Sequence, residues 1–181
     1  MRPHFRSRTD RCLRRLIREN LLVWGDEAKG QARVRPMPSE TREALLSIPV
    51  GHTRAVSHAS TRDRLLGNAW HGGLAACIAA GAAGRWAGTA DAPKMVVTPF
   101  GGVELLLVAL AGEGLLCQVV EYHSIECDTD CHAVVKEQWG QLQKAGKLHR
   151  SARLILHKDV ADTSEFWHTD AGWRGQLDKA G

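Results

Sequence analysis

Long hydrophobic runs are missing from this sequence. The two longest apolar stretches, residues 72–84 and 103–112, are too short for a membrane-spanning helix of ~18 residues and too rich in alanine or glycine. The apolar segment of a secretory signal is missing as well, because charged residues interrupt residues 13–23. These absences predict a chain without a membrane partner.

A complete set of paired cysteines is also excluded, since the chain has an odd number of them. The five cysteines are Cys12, Cys77, Cys117, Cys127 and Cys131. Without a secretory signal, an odd number is typical of free thiols in a reducing compartment. Cys127 and Cys131, with His123 and His132 nearby in sequence, match no zinc module with a second ligand pair. We therefore expect no metal site.

The sequence has no internal repeat and no Gly-x-Gly-x-x-Gly fingerprint. Because this fingerprint is absent, a nucleotide-binding oxidoreductase is the least favoured of the candidate functions. What is present is the composition of an ordinary globular protein, with 44% hydrophobic and 24% charged residues. The 181 residues are enough for one domain with a sizeable core.

Positive charge is concentrated at the amino terminus. Residues 1–35 contain nine arginines and one lysine against four acidic residues, a local balance of +6, and the net charge of +4 therefore leaves −2 for the remainder. Three interpretations stay open: a nucleic-acid contact, an arginine-rich targeting segment and a solvated helix face.

The first half of the sequence predicts helices separated by loops. Apolar residues at helical spacing predict a helix over residues 10–24, and glycines and prolines predict a loop over residues 25–38. Ser39 can cap a short helix over residues 40–46.

A further helical stretch begins near residue 60. It is broken at Gly67-Asn68 and resumes over residues 70–83, where many alanines and glycines predict close packing against a neighbour. Residues 84–93 have the composition of a linker.

The second half predicts alternating strands and helices. The predicted elements are, in order, a strand at 94–98, a glycine turn at 100–102, a helix at 103–111, a strand at 116–125, a helix at 128–144 and a strand at 153–156. This order implies an α/β fold with a parallel sheet built from right-handed βαβ units.

Ligands of such sheets bind at the carboxyl ends of the strands. The glycine turn lets a ligand approach the backbone closely, because glycine has no Cβ. Glu126, at the end of the second strand, can accept hydrogen bonds from two ribose hydroxyls. Asp159 can accept from the exocyclic amine of adenine while Val160 packs against the ring. An ordinary turn, a surface acid and a capping residue are the alternatives for each signal taken alone.

Five segments resemble motifs of one enzyme family. Residues 97–103 (Val-Thr-Pro-Phe-Gly-Gly-Val), 124–126 (Ser-Ile-Glu) and 158–160 (Lys-Asp-Val) resemble the first three motifs of DNA cytosine-5 methyltransferases. Residues 43–53 (Glu-Ala-Leu-Leu-Ser-Ile-Pro-Val-Gly-His-Thr) and 62–70 (Arg-Asp-Arg-Leu-Leu-Gly-Asn-Ala-Trp) resemble the last two. In most members those two follow the catalytic core. Here they come first, an order similar to the domains-rearranged methyltransferases of plants.

The resemblance covers roughly residues 36–165 and implies a Rossmann-like class I S-adenosyl-L-methionine-dependent methyltransferase fold, circularly permuted and incomplete. The expected organisation is a basic segment at 1–35, the carboxyl-terminal-type motifs at 36–84, a linker at 85–93 and a cofactor-binding half at 94–181. A permuted order is tolerated where the old termini lie close together on the surface.

The resemblance also implies a cofactor, S-adenosyl-L-methionine. Phe100 would stack on its adenine, Glu126 would hold the ribose and Asp159 the adenine amine, while Asn68 and Trp70 would close the methionine end. The expected cofactor-binding residues are Phe100, Gly102, Glu126, Cys127, Asp159, Val160, Asn68 and Trp70.

The glycine turn departs from the family pattern. The family's turn continues with small residues, whereas Glu104, Leu105 and Leu106 stand there in this chain, and Gly101 replaces a residue that is usually polar or acidic. A helix amino end attracts anions, so the cofactor carboxylate should lie nearby. We expect Glu104 to compete with it or repel it unless the side chain turns outward.

The family's catalytic thiolate attacks a flipped-out cytosine from a Pro-Cys motif, and no Pro-Cys dipeptide occurs here. We therefore expect no catalytic residue and no DNA methylation by this chain alone. The sequence ends about where a fourth strand is expected, so the outer edge of the strand at residues 95–98 should lie open or be covered by the arginine-rich segment.

Two hypotheses follow for function. In the first, the chain is the S-adenosyl-L-methionine-binding part of a nuclear enzyme that methylates duplex DNA. In the second, it is a non-catalytic homologue that binds the cofactor or an active partner methyltransferase and regulates it. Self-association is a further expectation, because an open strand edge can pair with a second copy.

Overall fold

The computed structural model describes residues 21–26, 31–86 and 92–163. The chain divides into two compact units, Met1–Arg42 and Glu43–Gly181. The described part is mixed α/β, with one antiparallel hairpin, one three-stranded parallel sheet and five α-helices.

The described strands of the first unit form a hairpin. Strand β1 (Leu21–Asp26) pairs antiparallel with β2 (Gln31–Pro36). The prediction of a helix is therefore wrong at residues 21–24, and the prediction of a loop is wrong at residues 25–26 and 31–36. Residues 37–38 have no regular structure, as predicted, and residues 27–30 lie outside the described residues. A run of consecutive apolar residues suits a strand as well as a helix, and pairing with a second segment decides in favour of the strand. Residues 10–20 of the predicted helix lie outside the described residues.

Three helices follow, close to the predicted positions. They are α1 (Ser39–Leu45), α2 (Ala59–Gly67) and α3 (Gly72–Trp86). The predicted break at Gly67-Asn68 is confirmed, because α2 ends at Gly67. There the backbone N–H of Asn68 donates to the carbonyl of Leu65, and that of Ala69 donates to the carbonyl of Leu66.

Only one side of α3 is buried. Ala75 and Ala79 lie in the core, whereas Leu74 and Ile78 are 54% and 43% exposed. The predicted close packing of this alanine- and glycine-rich helix is thus limited to one face.

The start of α3 packs directly on the backbone that follows α1. The N–H of Gly72 donates to the carbonyl of Leu46 at 2.7 Å. A Cβ atom at position 72 would lie 2.0 Å from the carbonyl oxygen of Ser47, a residue that itself has a left-handed φ of 55°. Glycine is therefore required at position 72 by the closeness of two backbones.

The rest of the second unit alternates strands and helices, as predicted, except that residues 116–118, predicted as strand, lie in a short 3-10 helix. The elements are β3 (Lys94–Pro99), α4 (Leu105–Gly112), β4 (Val119–Ile125), α5 (Thr129–Lys144) and β5 (Arg153–His157), with short 3-10 helices at Leu115–Gln118 and Val160–Thr163. The three strands are parallel and in the order β3-β4-β5. The outer edge of β3 has no strand partner among the described residues.

Helices α4 and α5 pack on the same face of this sheet. Alternate strand residues, Val96 from β3 and Tyr122 from β4, share a core cluster with Leu107 of α4 and Trp139 of α5. The rings of Tyr122 and Trp139 lie 6.1 Å apart between centroids. Two right-handed crossovers that proceed in the same direction place both helices on one face.

A second core cluster joins the segment before the linker to the glycine turn. Its buried members are Ile48, Val56, Leu65, Leu66, Ala75, Val103, Leu105, Cys131 and Val134. The cluster therefore holds residues 48–75 against the amino end of α4 and the first turns of α5, next to the carboxyl ends of the strands.

The amino end of α5 is fixed by a capping acid, as predicted for Asp128. Its side chain accepts a hydrogen bond from the N–H of Asp130 at 2.9 Å. Arg64 of α2 pairs with Asp128 and, at 3.0 Å, with Asp130. Within the described ranges, no helix combines the length and the apolar character needed to cross a membrane.

Candidate functional site

The turn after β3 has an unusual backbone. Phe100, Gly102 and Glu104 all have left-handed φ values, of 57°, 55° and 54°. Residues other than glycine rarely adopt this backbone conformation, which costs them about 1–2 kcal/mol. Two such residues within one short turn mark it as a strained segment held by its surroundings, a feature that clusters at ligand-binding sites.

Glu126 holds this turn from the neighbouring strand. Its Oε2 accepts from the N–H of Gly102 at 3.0 Å, and its Oε1 accepts from the N–H of Asp128 at 3.0 Å. The N–H of Gly101 donates to the carbonyl of Ile125, at the end of β4. The glycine turn and the acid, 24 residues apart in sequence, are therefore in direct contact at the carboxyl edge of the sheet.

A cavity of about 210 Å³ opens beside the turn. It is lined by Asn68, Ala69, Trp70 and Ile78 on one side and by residues 97–106 on the other. Four of the eight residues expected to bind a cofactor thus line one cavity: Asn68, Trp70, Phe100 and Gly102. Trp70 and Phe100 are 57% and 75% exposed. Two large exposed aromatic rings beside one cavity provide flat apolar surfaces on which a ligand ring can stack.

The other four expected residues lie at the same edge of the sheet but do not line the cavity. Glu126 contacts the turn as described, and its own N–H donates to the carbonyl of His157, at the end of β5, at 2.9 Å. Asp159, just beyond β5, accepts from the N–H of Ala161 at 2.9 Å and so caps the short 3-10 helix. Val160 is 43% exposed.

Cys127 is exposed beside Glu126. Its thiol donates to Glu126 Oε1 at 3.4 Å, and this hydrogen bond to a carboxylate raises the pKa of the thiol. A raised pKa keeps the sulfur protonated and makes it a poor nucleophile.

Glu104 points inward and is almost fully buried, with 1% of its surface exposed. Its carboxyl lies under the turn, within hydrogen-bonding distance of Thr98 Oγ1 (2.6 Å) and Tyr122 Oη (2.7 Å). A Cβ atom at position 101 would lie 1.9 Å from Glu104 Oε1, so the carboxyl occupies space that only glycine leaves there. Burial raises the pKa of Glu104. The side chain therefore does not adopt the outward orientation that would remove it from the path of an anionic ligand, but lies buried under the turn.

His52 supports the turn from the opposite side, a role that sequence reasoning missed. The ring is 1% exposed, and its Nε2 donates to the carbonyl of Val103 at 2.6 Å. Because a carbonyl only accepts, the proton is on Nε2, and the buried Nδ1 has no partner in the described part of the chain. Burial lowers the pKa of His52, which favours this neutral ring.

The loop that carries His52 is organised around one buried acid, Glu43. Its carboxylate accepts from the N–H of Gly51 (2.6 Å), from the N–H and hydroxyl of Thr53 (2.9 and 2.7 Å) and from Arg62 Nη2 (3.3 Å). Burial acts to raise the pKa of Glu43, but these hydrogen bonds outweigh it and lower the pKa overall. The two segments that resemble the family's last motifs are thus joined by a buried ion pair between Glu43 and Arg62.

A second polar cluster lies on the sheet face opposite the helices. His123 Nδ1 lies 2.9 Å from His157 Nε2, and His123 Nε2 lies 3.1 Å from Glu121 Oε2. Arg153 pairs with the same Glu121. Alternation along a strand puts Glu121 and His123 on one face and Tyr122 on the other. In the residues described, no group of three or more His, Cys, Asp or Glu side chains is arranged so that it could hold a metal ion.

The chain was compared with known proteins. A scan against protein-family models found no match, and a search of curated proteins found none either. The function of the site is therefore inferred from its geometry and from the motif resemblance. The mixed α/β architecture with a small parallel sheet is compatible with a Rossmann-like fold.

Proposed function

We propose that this chain is the S-adenosyl-L-methionine-binding part of a DNA cytosine-5 methyltransferase. The observation that carries the proposal is the composition of the cavity. Asn68 and Trp70 come from the segment before the linker, Phe100 and Gly102 from the turn after β3, and the fold brings them around one space. The permuted motif order predicts this meeting, whereas two unrelated motif-like segments would have no reason to share a cavity.

The residues present fit this cofactor. The enclosed volume of about 210 Å³ is below the ~300–1,000 Å³ of typical small-molecule sites, so it suits the methionine end alone. The adenosine would lie along the open carboxyl edge of the sheet, near Glu126. A carboxylate has about four lone-pair positions. Glu126 uses two of them on backbone N–H groups and a third on the long contact from the Cys127 thiol. The remaining position suits one ribose hydroxyl, and a second hydroxyl would displace the thiol.

The chain's own residues would then divide the work of binding. Phe100 offers its exposed ring to the adenine, and Glu126 holds the ribose. Asp159 accepts from the adenine amine in addition to its bond from Ala161, with Val160 exposed beside it. Asn68 lines the cavity, and its side-chain amide makes no hydrogen bond with the described residues, so it is available to the methionine end.

The DNA substrate is supported by the resemblance over residues 36–165 and by the arginine-rich segment 1–35, for which nucleic-acid contact is one interpretation. When bound, the cofactor supplies an electrophilic methyl group. What the described residues contribute is the orientation of that cofactor against the strand ends.

Isothermal titration calorimetry with S-adenosyl-L-methionine and with its demethylated product tests the proposal. We expect binding, and we expect Glu126→Gln to weaken it by at least about ten-fold, since hydrogen bonds to a charged acceptor contribute about 1.5–3 kcal/mol. Glu113→Gln, an exposed acid that follows the last residue of α4, is the matched control and should bind like the parent protein. Equal affinity in both variants would remove Glu126 from the site, and no binding by any of the three proteins would refute the proposal.

A further inference from the structure

Glu104 is the buried acid to which the proposed function gives no task. Its carboxyl lies between the backbone of Gly101 and two strands of the sheet, with Thr98 contributed by β3 and Tyr122 by β4. It is also among the residues that line the cavity. A charged group this deeply buried is expected only where an opposite charge and hydrogen bonds stabilise it.

Counting hydrogens indicates which form of Glu104 these contacts require. Thr98 Oγ1 lies 2.6 Å from Glu104 Oε1 and 3.2 Å from the carbonyl oxygen of His123. A hydroxyl carries one hydrogen, and both a carboxylate and a carbonyl only accept. With Glu104 ionised, one of the two contacts has no hydrogen.

With Glu104 protonated, every contact in this group has one. Glu104 Oε1 donates to Thr98 Oγ1, Thr98 donates to the carbonyl of His123, and the Tyr122 hydroxyl donates to Glu104 Oε2. The hydroxyl of Ser124, which also faces the carboxyl, can donate to it in either form. The two contacts of Thr98 are therefore the ones that favour the neutral carboxylic acid.

The surrounding charges act in the same direction. Burial raises the pKa of Glu104, and the negative charge of Glu126, on the other side of the turn, raises it further, against the hydrogen bonds that lower it. Tyr122 remains a phenol because burial raises its pKa well above 10. The pKa of His52, which donates to the carbonyl of Val103, is lowered by burial, which favours the neutral ring.

We propose that Glu104 is a positioning residue of the cofactor site, a neutral carboxylic acid that donates to Thr98 of β3, accepts from Tyr122 of β4 and keeps the cavity lining free of negative charge. The identity of the ligand rests on the proposed function. The protonation of Glu104 does not, because it is a property of the free protein. Loss of the proton at high pH leaves the one hydrogen of Thr98 for two acceptors, Glu104 and the carbonyl of His123, so one of these two bonds is lost. It also places a negative charge beside the site of the ligand's carboxylate.

Glu104→Gln separates this role from simple packing. The glutamine amide can donate to Thr98 Oγ1 and its carbonyl can accept from Tyr122, so the variant reproduces the protonated arrangement at every pH. The matched control is again Glu113→Gln, an exposed acid beyond the other end of α4.

The first experiment uses the free protein. Urea unfolding of the parent, Glu104→Gln and Glu113→Gln is measured from about pH 4 to about pH 9. A raised pKa in the folded state makes the parent lose stability as pH rises above the ordinary value of 4.5. The stability of Glu104→Gln relative to the parent should therefore increase with pH up to the folded pKa, and that of Glu113→Gln should not. A difference between Glu104→Gln and the parent that stays constant above pH 5 would overturn the proposal.

A spectroscopic readout does not require the variant to fold. In protein with isotope-labelled glutamate, infrared spectra at neutral pH should show the carbonyl stretch of one protonated carboxylic acid, lost only at higher pH. Absence of that band at neutral pH would overturn the proposal.

The second experiment measures S-adenosyl-L-methionine binding over the same pH range. Parent affinity should fall by up to about ten-fold per pH unit above the folded pKa, while Glu104→Gln should keep its affinity. A parallel decline in both proteins would refute the positioning role. Failure of both to bind at any pH would refute the proposed function and the ligand half of this inference, whereas the unfolding series would still decide whether Glu104 is neutral.

Discussion

A Cβ atom at position 101 would lie 1.9 Å from Oε1 of Glu104. The two positions therefore depend on each other, since the missing side chain of Gly101 leaves the space that the buried carboxyl fills. Gly101 is not one of the turn residues with a left-handed φ. Glycine is therefore required at position 101 by the lack of space for a Cβ atom and not by the backbone conformation.

Gly101→Ala should destabilise the protein by about 1–3 kcal/mol, the usual cost of overpacking. In a Glu104→Ala background the same substitution should cost much less, because the atoms that it meets are gone. Urea unfolding of the four proteins of this double-mutant cycle gives the coupling. Gly112→Ala is the control, since a Cβ at that position meets nothing within 4 Å. Additive effects of Gly101→Ala and Glu104→Ala would show that the two residues do not share this space.

Two glycines of α3 provide a second matched pair. Gly72→Ala should destabilise by about 3 kcal/mol or more, because a Cβ there would lie 2.0 Å from the Ser47 carbonyl oxygen and neither backbone can move cheaply. Gly81→Ala, in the same helix with open space around it, should stabilise by about 0.5–1 kcal/mol through helix propensity. Thermal unfolding monitored by circular dichroism measures both, and similar effects of the two would contradict the tight contact between α3 and residue 47.

Two buried groups, Glu104 and His52, should make opposite contributions to the pH dependence of stability. His52 has a pKa lowered by burial from the ordinary value of 6.5, so the unfolded chain binds its proton first as pH falls below that value. Its stabilisation is therefore present above pH 6.5 and lost as pH falls towards the folded pKa. In His52→Gln, whose amide can still donate to the Val103 carbonyl, this loss on acidification should disappear. Unfolding free energies at pH 5 and pH 7 for both proteins test it, and an unchanged acid-side loss in the variant would assign the effect to another group.

The strands and helices from β3 to β5 could be predicted from the sequence because the signals that indicate them are local. A β-branched run predicts β3, and the capping acid Asp128 followed by helical periodicity predicts α5. The contact between Gly102 and Glu126 could be anticipated as well, since both follow parallel strands whose carboxyl ends share one edge.

The features that the sequence did not reveal depend on partners distant in sequence. The hairpin of β1 and β2 is decided by pairing between segments, which periodicity does not report. The inward orientation of Glu104 depends on the space at Gly101 and on hydroxyls from two different strands. His52 stands 51 residues from the Val103 carbonyl that it holds, and a lone histidine in a loop carries no pattern that indicates this contact.

Phe100 offers a test in which stability and binding should change in opposite directions. Its ring is 75% exposed and contributes little to the core, yet its backbone has a left-handed φ of 57°. Such a backbone costs a non-glycine residue about 1–2 kcal/mol, and glycine avoids that cost at an entropic penalty of about 0.5–1 kcal/mol. A strained backbone at an exposed aromatic residue is expected where the ring contacts a ligand.

Phe100→Gly should therefore unfold at an equal or higher urea concentration than the parent. Its affinity for S-adenosyl-L-methionine should fall by about two- to ten-fold, the effect of losing one stacking partner that contributes about 0.5–1.5 kcal/mol. Phe100→Ala is the control that removes the ring but keeps the strained backbone. It should lose the same affinity without the gain in stability. Calorimetric binding and urea unfolding of the three proteins separate the two effects. If both variants bind as tightly as the parent, the ring of Phe100 does not contact the ligand. The strained backbone of the turn would then be explained by the burial of the Glu104 carboxyl and not by ligand binding.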